Sequence, residues 1–435
     1  MKLHNNPPPY RWQKICRRPT IDSTRLEVTV QPILEDVKKR GDAAVLEYTE
    51  KFDGVRPEPY VQENLQLQER QFDLPENLKE AIRTAERNIR TFHAEQNQST
   101  PRVETTRGIT CWRDSRPIER VGLYIPGGTA PLISTVLMLG VPAQVARCNE
   151  IILCSPPNNE GKIPEAILYA AHRIGASRIV AAGGAQAIAA MAFGTDKIPQ
   201  CYKLFGPGNQ YVTAAKQLVN KMGTAIDLPA GPSELLVVTD ESSNPAFVAA
   251  DLLSQAEHGE DSSVMLVGTD ESILQQTMEA VQTQVKHLPR RSIAEKALAN
   301  SSAVLLKDLK AAMQFSNRYA PEHLILATDN AYALAREVQT AGSVFVGSYS
   351  AEAVGDYASG TNHTLPTNGY ARMYSGVSLD SFQKKITFQE VSPEGLRNIQ
   401  ETVTTLARAE QLDAHARAVE IRTEALAPRK KKQAS

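Results

Sequence analysis

The sequence predicts an α/β protein of two Rossmann-like, doubly wound parallel-sheet domains, one inserted in the other. An N-terminal arm and a C-terminal helical tail complete the expected chain. Three observations lead there. Between residues 121 and 222, four short apolar strand segments alternate with four helical segments. The alternation resumes at residue 233 and runs to about residue 346, so a second α/β domain is built from segments on either side of the first. Residues 394–426 keep a helical pattern beyond the last strand, which marks them as an appended tail.

In order, residues 1–25 read as an arm, with Arg18-Pro19 interrupting regular structure. Residues 29–50 form a helix, a break at Gly41-Asp42, and a second helix; residues 75–96 are a longer polar helix. A strand-rich piece, Gly108-Ile-Thr-Cys-Trp112, precedes the strand at 121–125. The glycine turns Pro126-Gly-Gly-Thr129, Gly183-Gly-Ala-Gln186 and Gly206-Pro-Gly-Asn209 each link a strand to a helix. Strands follow at 233–238, 263–267, 302–306, 324–327 and 343–346, with helices between them. Residues 347–369 lack periodicity, and long patternless segments inside compact domains are commonly functional. The expected boundaries are 1–25 for the arm, 26–125 with 235–380 for the larger domain, 126–234 for the insert and 381–435 for the tail.

Composition narrows the function. The 435 residues carry 42% apolar and 22% charged side chains and a net charge of −1, which argues against a general nucleic-acid surface. The one basic cluster, Arg429-Lys-Lys-Lys432, reads as a solvated end. No apolar run reaches membrane-spanning length, and Pro7-Pro8-Pro9 stands where a signal peptide needs an apolar stretch. Five cysteines without a Cys-x-x-Cys pair suit a reducing cytosol and argue against a cysteine zinc site.

The candidate chemistry starts on the segment from Asn244-Pro245 to Gly259, a helix with a good start and stop. Asp251, Gln255 and His258 recur at i, i+4 and i+7, so Gln255 and His258 present two donors beside a helix C-terminus, a setting that favours a cation. A polar surface with a terminal histidine is the simpler alternative for that helix alone. The glycine turns let backbone N–H groups approach a phosphate, although none matches Gly-x-Gly-x-x-Gly and tight α/β turns explain each singly. Glu322-His323, before an apolar strand, could supply adjacent proton-transfer groups or be a satisfied loop pair. Zinc wants about four N, O or S ligands. Gln255 and His258 supply two, and spacing does not choose the others among Asp356, His363, His323 and His415.

Taken together, these segments resemble the histidinol dehydrogenase family. The resemblance rests on Val121-Gly-Leu-Tyr-Ile-Pro-Gly-Gly128, the segment 180–193, Phe205-Gly-Pro-Gly-Asn209 and the segment 226–234. Asp251-Leu-Leu-Ser-Gln-Ala-Glu-His258, Pro321-Glu-His-Leu324, the segment 355–363 and Glu410 to His415 continue it, in family order over essentially the whole chain. It implies a cytosolic zinc enzyme that oxidises L-histidinol to L-histidine through the aldehyde and reduces two NAD. By resemblance, the metal ligands fall on Gln255, His258, Asp356 and His415, and the catalytic pair on Glu322 and His323. Ser233 and Glu410 match substrate contacts, with Gln255, His258, His323, Asp356 and His415 beside them. Tyr124, Gln186 and Asn209 match NAD contacts. The resemblance also implies a homodimer whose tails carry Glu410 and His415 to the partner. Two alternatives stand beside it: a same-scaffold dehydrogenase for another small alcohol, and a non-catalytic zinc- or nucleotide-binding protein.

Overall fold

Successive residues of a strand face opposite sides of its sheet, and here both sides are apolar. In the computed structural model, which describes residues 1–18, 23–63, 69–98, 100–127, 132–229 and 231–426, Val121, Leu123 and Ile125 enter one buried cluster and Tyr124 another. Ile151 and Leu153 part from Ile152 and Cys154 in the same way. Strands of this kind need helices on both faces, and the chain is a mixed α/β protein with parallel sheets. Gly128 and Thr129 of the first glycine turn, and the basic Arg429–Lys432 cluster, lie outside the described residues. No helix among the described residues is long and apolar enough to cross a membrane.

The chain divides into two units, Met1–Gln96 with Ile118–Phe382, and Asn97–Pro117 with Gln383–Ser435. The first holds two six-stranded sheets. One has the spatial order Val61–Glu63, Arg178–Ala181, Glu150–Ser155, Arg120–Tyr124, Lys203–Phe205, Ala225–Ile226, parallel except at the Val61–Glu63 edge. Helices Ser23–Arg40 and Asp42–Asp53 cover one face, where Val30, Leu34 and Val45 join Ile188 and Val212. Helix Glu76–Ala94 covers the other through Ile82 and Ile89. Residues 26–125, expected with the 235–380 segment, thus send their long helices onto the sheet of the 126–234 segment. A helix's apolar stripe announces that it will be covered but not by which sheet.

The second sheet has the order Lys2–Asn5, Ser302–Leu305, Ser263–Gly268, Glu234–Thr239, His323–Ala327, Ser343–Val346, parallel throughout. Leu235 and Val237 face helix Pro245–Ala256, while Leu236 and Val238 face Phe315 of helix Leu309–Tyr319. The expected arm begins with an edge strand, and Trp12 then meets the Phe315 ring edge-on at 5.5 Å. That strand, Lys-Leu-His-Asn, is held by ladder hydrogen bonds more than by apolar side chains, so hydropathy did not mark it.

In the second unit, Gln383–Val391 pairs antiparallel with Ile109–Pro117, which pairs with Val103–Thr106. The tail expected from residue 381 is therefore helical only from Pro393, in helices Pro393–Ala409 and Asp413–Ala425. Strand Gln383–Val391 finds its partner more than 260 residues away in sequence, with Phe388 stacked on Trp112 at 5.4 Å. Local pattern carries no trace of such a pairing.

Candidate active site

In a doubly wound sheet a ligand crevice opens where the strand order reverses. In the first sheet the chain steps from Arg120–Tyr124 to Glu150–Ser155 and Arg178–Ala181, then returns to Lys203–Phe205 on the other side of Arg120–Tyr124. A cleft of about 880 Å³ lies there, lined by Tyr124, Gly127, Pro156, Gly184, Gln186 and Asn209 among others. Its floor admits no larger side chains: a Cβ on Gly127 would lie 2.2 Å from Pro156, and Gly184 has φ +62°. The Tyr124 hydroxyl accepts a hydrogen bond from the Gly184 N–H (3.1 Å), and burial pushes the phenol up to about 12. Asn209 Oδ1 caps helix Gln210–Lys221 by accepting from the Tyr211 and Val212 N–H groups. Gln186 is buried, yet both polar atoms of its amide lack a partner. Buried amides are nearly always paired, so this cleft is built for a polar ligand, and the phosphates and amide of a dinucleotide fit it.

In the second sheet the site gathers at the amino ends of two neighbouring strands, Glu234–Thr239 and His323–Ala327. Strand beginnings leave backbone groups unpaired, and Glu234 uses them. Its N–H donates to Glu322 Oε2 (2.8 Å), and its carbonyl accepts from His323 Nδ1 (3.2 Å). A carbonyl only accepts, so Nδ1 carries the hydrogen in the neutral ring and Nε2 keeps its lone pair. His323 Nε2 is buried without a hydrogen-bond partner and lies 3.6 Å from Asp356 Oδ1.

Helix Glu352–Tyr357 brings Glu352 and Asp356 to this ring on one face, four residues apart. Glu352 Oε1 stands 3.4 Å from His323 Nδ1. Gln255, in the orientation its neighbours require, donates to Glu352 Oε1 (2.6 Å) and His258 Nδ1 (3.2 Å) and accepts from the Glu234 N–H (3.0 Å). His363 anchors the segment through its Nδ1, 3.0 Å from the Asp356 carbonyl, and its Nε2, 3.3 Å from Thr135 Oγ1.

Charge is concentrated here. Burial works against a protonated His323, but the Glu352 and Glu322 carboxylates outweigh it and raise the ring well above the ordinary histidine range. Burial pushes Glu352 up to about 8, as a desolvated carboxyl among other carboxylates must be. Burial also opposes an ionised Asp356, yet its contact with His323, reinforced by the nearby His363 and His258, holds it below the usual carboxylate range.

Among the described residues, His323, Glu352 and Asp356 offer ligand atoms within 4.8 Å of one another. Gln255 and His258 adjoin them, so the first unit assembles five N/O donors from residues scattered over a hundred positions. His258 also lines a second cleft, of about 680 Å³, with Ser233 and Asn368; it meets the first cleft at Asn209. Glu410 and His415 are exposed in the second unit, as the C-cap of helix Pro393–Ala409 and in the first turn of helix Asp413–Ala425. Glu352 and Glu234 were missed from the sequence. The i, i+4 pair Glu352 and Asp356 inside an otherwise patternless segment was the available signal for the first. For the second, it was a carboxylate opening the apolar strand Glu-Leu-Leu-Val-Val-Thr.

The chain also has close relatives. Residues 16–423 match the family model described as histidinol dehydrogenase. A histidinol dehydrogenase from Bacteroides thetaiotaomicron is 54% identical over 426 residues, covering 98% of this chain and 100% of that protein. The histidine biosynthesis trifunctional protein of Saccharomyces cerevisiae is 53% identical over 94% of this chain, which spans 52% of that longer protein. The crystal structure of histidinol dehydrogenase from Elizabethkingia anophelis superposes with a TM-score of 0.95 at 52% identity, covering 98% of this chain and 99% of that one. A shared fold, a family match over nearly all its length and majority identity together establish that the chain belongs to the histidinol dehydrogenase family, oxidoreductases of histidine biosynthesis.

Proposed function

We propose that the protein carries out the four-electron oxidation of L-histidinol to L-histidine with two NAD, through the aldehyde, in two half-reactions at one site. The observation that carries this reading is the way one residue, Glu234, orients Glu322 and His323 with its backbone while His323 Nε2 stays free.

In the first half-reaction His323 Nε2 takes the alcohol proton as a hydride leaves the carbinol carbon for the dinucleotide, giving the aldehyde. The neutral ring is the form that acts, with its Nδ1 hydrogen on the Glu234 carbonyl and its Nε2 lone pair free for the alcohol proton. Glu322 then takes a proton from water as the water oxygen bonds to the aldehyde carbon, and the proton held on His323 passes to the aldehyde oxygen, which returns the imidazole to its base form. The resulting hydrate has a C–H and an O–H again, so the same loss of proton and hydride yields the carboxylic acid. A carboxylate beside an imidazole thus serves both half-reactions without rearrangement of the site. Tyr124, Gln186 and Asn209 bind the dinucleotide, the unpaired Gln186 amide supplying both a donor and an acceptor. Ser233 lines the second cleft together with His258 and Asn209, and its hydroxyl serves as a substrate contact in this reading.

Gln255, His258 and Asp356 fit a zinc ion by donor chemistry, with His415 as the fourth ligand. Support comes from the donor cluster itself: among the described residues His323, Glu352 and Asp356 offer ligand atoms within 4.8 Å of one another, with Gln255 and His258 beside them. When bound, zinc supplies a holding point for the imidazole and amine of the substrate, both good ligands for it. Glu410 and His415 reach this site from the tail of a second copy in a homodimer. Five free thiols accord with a cytosolic setting.

The test is to give the zinc-loaded protein L-histidinol and NAD and to count products. Two NADH per histidine are expected. One NADH per substrate points to a dehydrogenase of another small alcohol, and none to a binding protein.

A further inference from the structure

Resting on the proposed roles of Glu322 and His323, we infer that Arg18 is the positioning residue that holds the catalytic pair in register from outside the reaction site. Glu234 begins its strand with a carboxylate that is almost fully buried. Such a charge persists in an apolar surround only with a cation and a complete set of donors. Arg18 provides the cation in fork geometry: Nε reaches Glu234 Oε1 at 2.5 Å and Nη2 reaches Oε2 at 2.6 Å. The Asn368 N–H adds a third donor, 2.7 Å from Oε1.

The same guanidinium engages the other strand. Its Nη2 donates to the Tyr319 carbonyl (2.9 Å) and stands 3.4 Å from that of Ala320, where helix Leu309–Tyr319 ends on a left-handed Ala320 at φ +54°. Its plane lies over the Tyr319 ring, 4.0 Å from the centroid. Glu322 and His323 follow two and three residues further on. Arg18 thus ties the start of the Glu234 strand to the turn leading into the His323 strand. Those are the two backbone segments whose relative position sets the Glu234 N–H to Glu322 and the Glu234 carbonyl to His323 distances. Among the described residues, none of the hydrogen bonds of Arg18 is to either catalytic side chain.

A lysine at this position would keep the charge against Glu234 but lacks the planar fork, so it cannot hold the carboxylate and the Tyr319 carbonyl together. Losing such a support typically costs about 10–100-fold in activity, and a displacement of about 1 Å at the reacting groups suffices for ~100-fold. The experiment compares R18K and R18A with wild type at equal zinc content, measuring melting temperature, kcat and the KM for NAD. R18K is expected to fold with a near-wild-type melting temperature, to lose about tenfold or more in kcat, and to keep its KM for NAD. Guanidinium ion added to folded R18A is expected to restore kcat in part. A folded R18K with wild-type kcat overturns the inference, whether or not R18A folds. An R18K whose kcat loss is matched by an equal change in the KM for NAD overturns it too, since general loosening would then explain the loss. E322Q and H323N, run in parallel with histidine as the product measured, report on the underlying assignment: if they form histidine at the wild-type rate, that assignment falls. If they are inactive and R18K is fully active, only the role of Arg18 falls.

Discussion

Replacing Glu322 by glutamine separates the two half-reactions. Glutamine has the size of glutamate, and its carbonyl oxygen still accepts the Glu234 N–H that now bonds Glu322 Oε2 at 2.8 Å. His323 keeps its own bond to the Glu234 carbonyl, so the base of the first step stays in place. What disappears is the ability to take a proton from water. General-base assistance contributes about 10²–10⁴-fold, equivalent to about 3–5 kcal/mol of transition-state stabilisation. All of it should fall on hydration of the aldehyde. In a stopped-flow experiment with excess NAD, E322Q should release a first equivalent of NADH per site at near the wild-type rate, followed by a second phase slower by that factor. An aldehyde-trapping amine added to the same reaction should capture the intermediate. Two equivalents at wild-type rates would remove Glu322 from the mechanism. Loss of the first equivalent to the same degree would show that Glu322 acts before water enters.

Three further outcomes follow from particular side chains. Burial raises the Asp251 carboxyl from 3.8 to about 6, so the fold favours its protonated form; that contribution is complete below about pH 4 and lost as pH rises through about 6. The full shift corresponds to about 3 kcal/mol, and screening of this partly exposed group reduces it to about 1 kcal/mol. Urea unfolding should therefore find D251N more stable than wild type at pH 8 and equal to it at pH 4, and an equal difference at both would refute the burial account. Gln186→Met removes a buried amide with no partners, so the ligand-free protein should gain about 1 kcal/mol in melting experiments while NAD binding weakens ~5-fold by calorimetry; unchanged affinity would take Gln186 out of the cofactor site. His415→Ala should leave the melting of the metal-free chain unchanged, because the residue is exposed. In a chelator competition it should lose more than the ~10–100-fold in zinc affinity that an outer partner costs, and retained affinity would remove it from the ligand set.

The alternation of strand and helix from residue 121 onward was legible because most of its strands are apolar on both faces and several helices start at a glycine or proline. Those are local properties, read over a few residues. Gln255 and His258 were legible as near neighbours, and the fold sets them 3.2 Å apart, although the helix ends at Ala256 and His258 lies in the bend beyond it. The edge strand Lys2–Asn5 and the strand Gln383–Val391 were not. Their stability lies in hydrogen bonds to Ser302–Leu305 and Ile109–Pro117, and such pairing leaves no periodic mark on a short polar segment.

By itself the sequence determined the α/β class and the family resemblance, and it offered candidate groups for the chemistry. Those follow from side-chain type and short-range spacing, which the chain carries wherever it folds. The tertiary structure decided how those groups are held. It put Glu352 beside His323, made the Glu234 backbone the common hydrogen-bond partner of Glu322 and His323, and brought Arg18 from more than 200 residues away to neutralise the Glu234 carboxylate. A buried charge becomes tenable only once its partner is in place, and which partner that is depends on the closed fold.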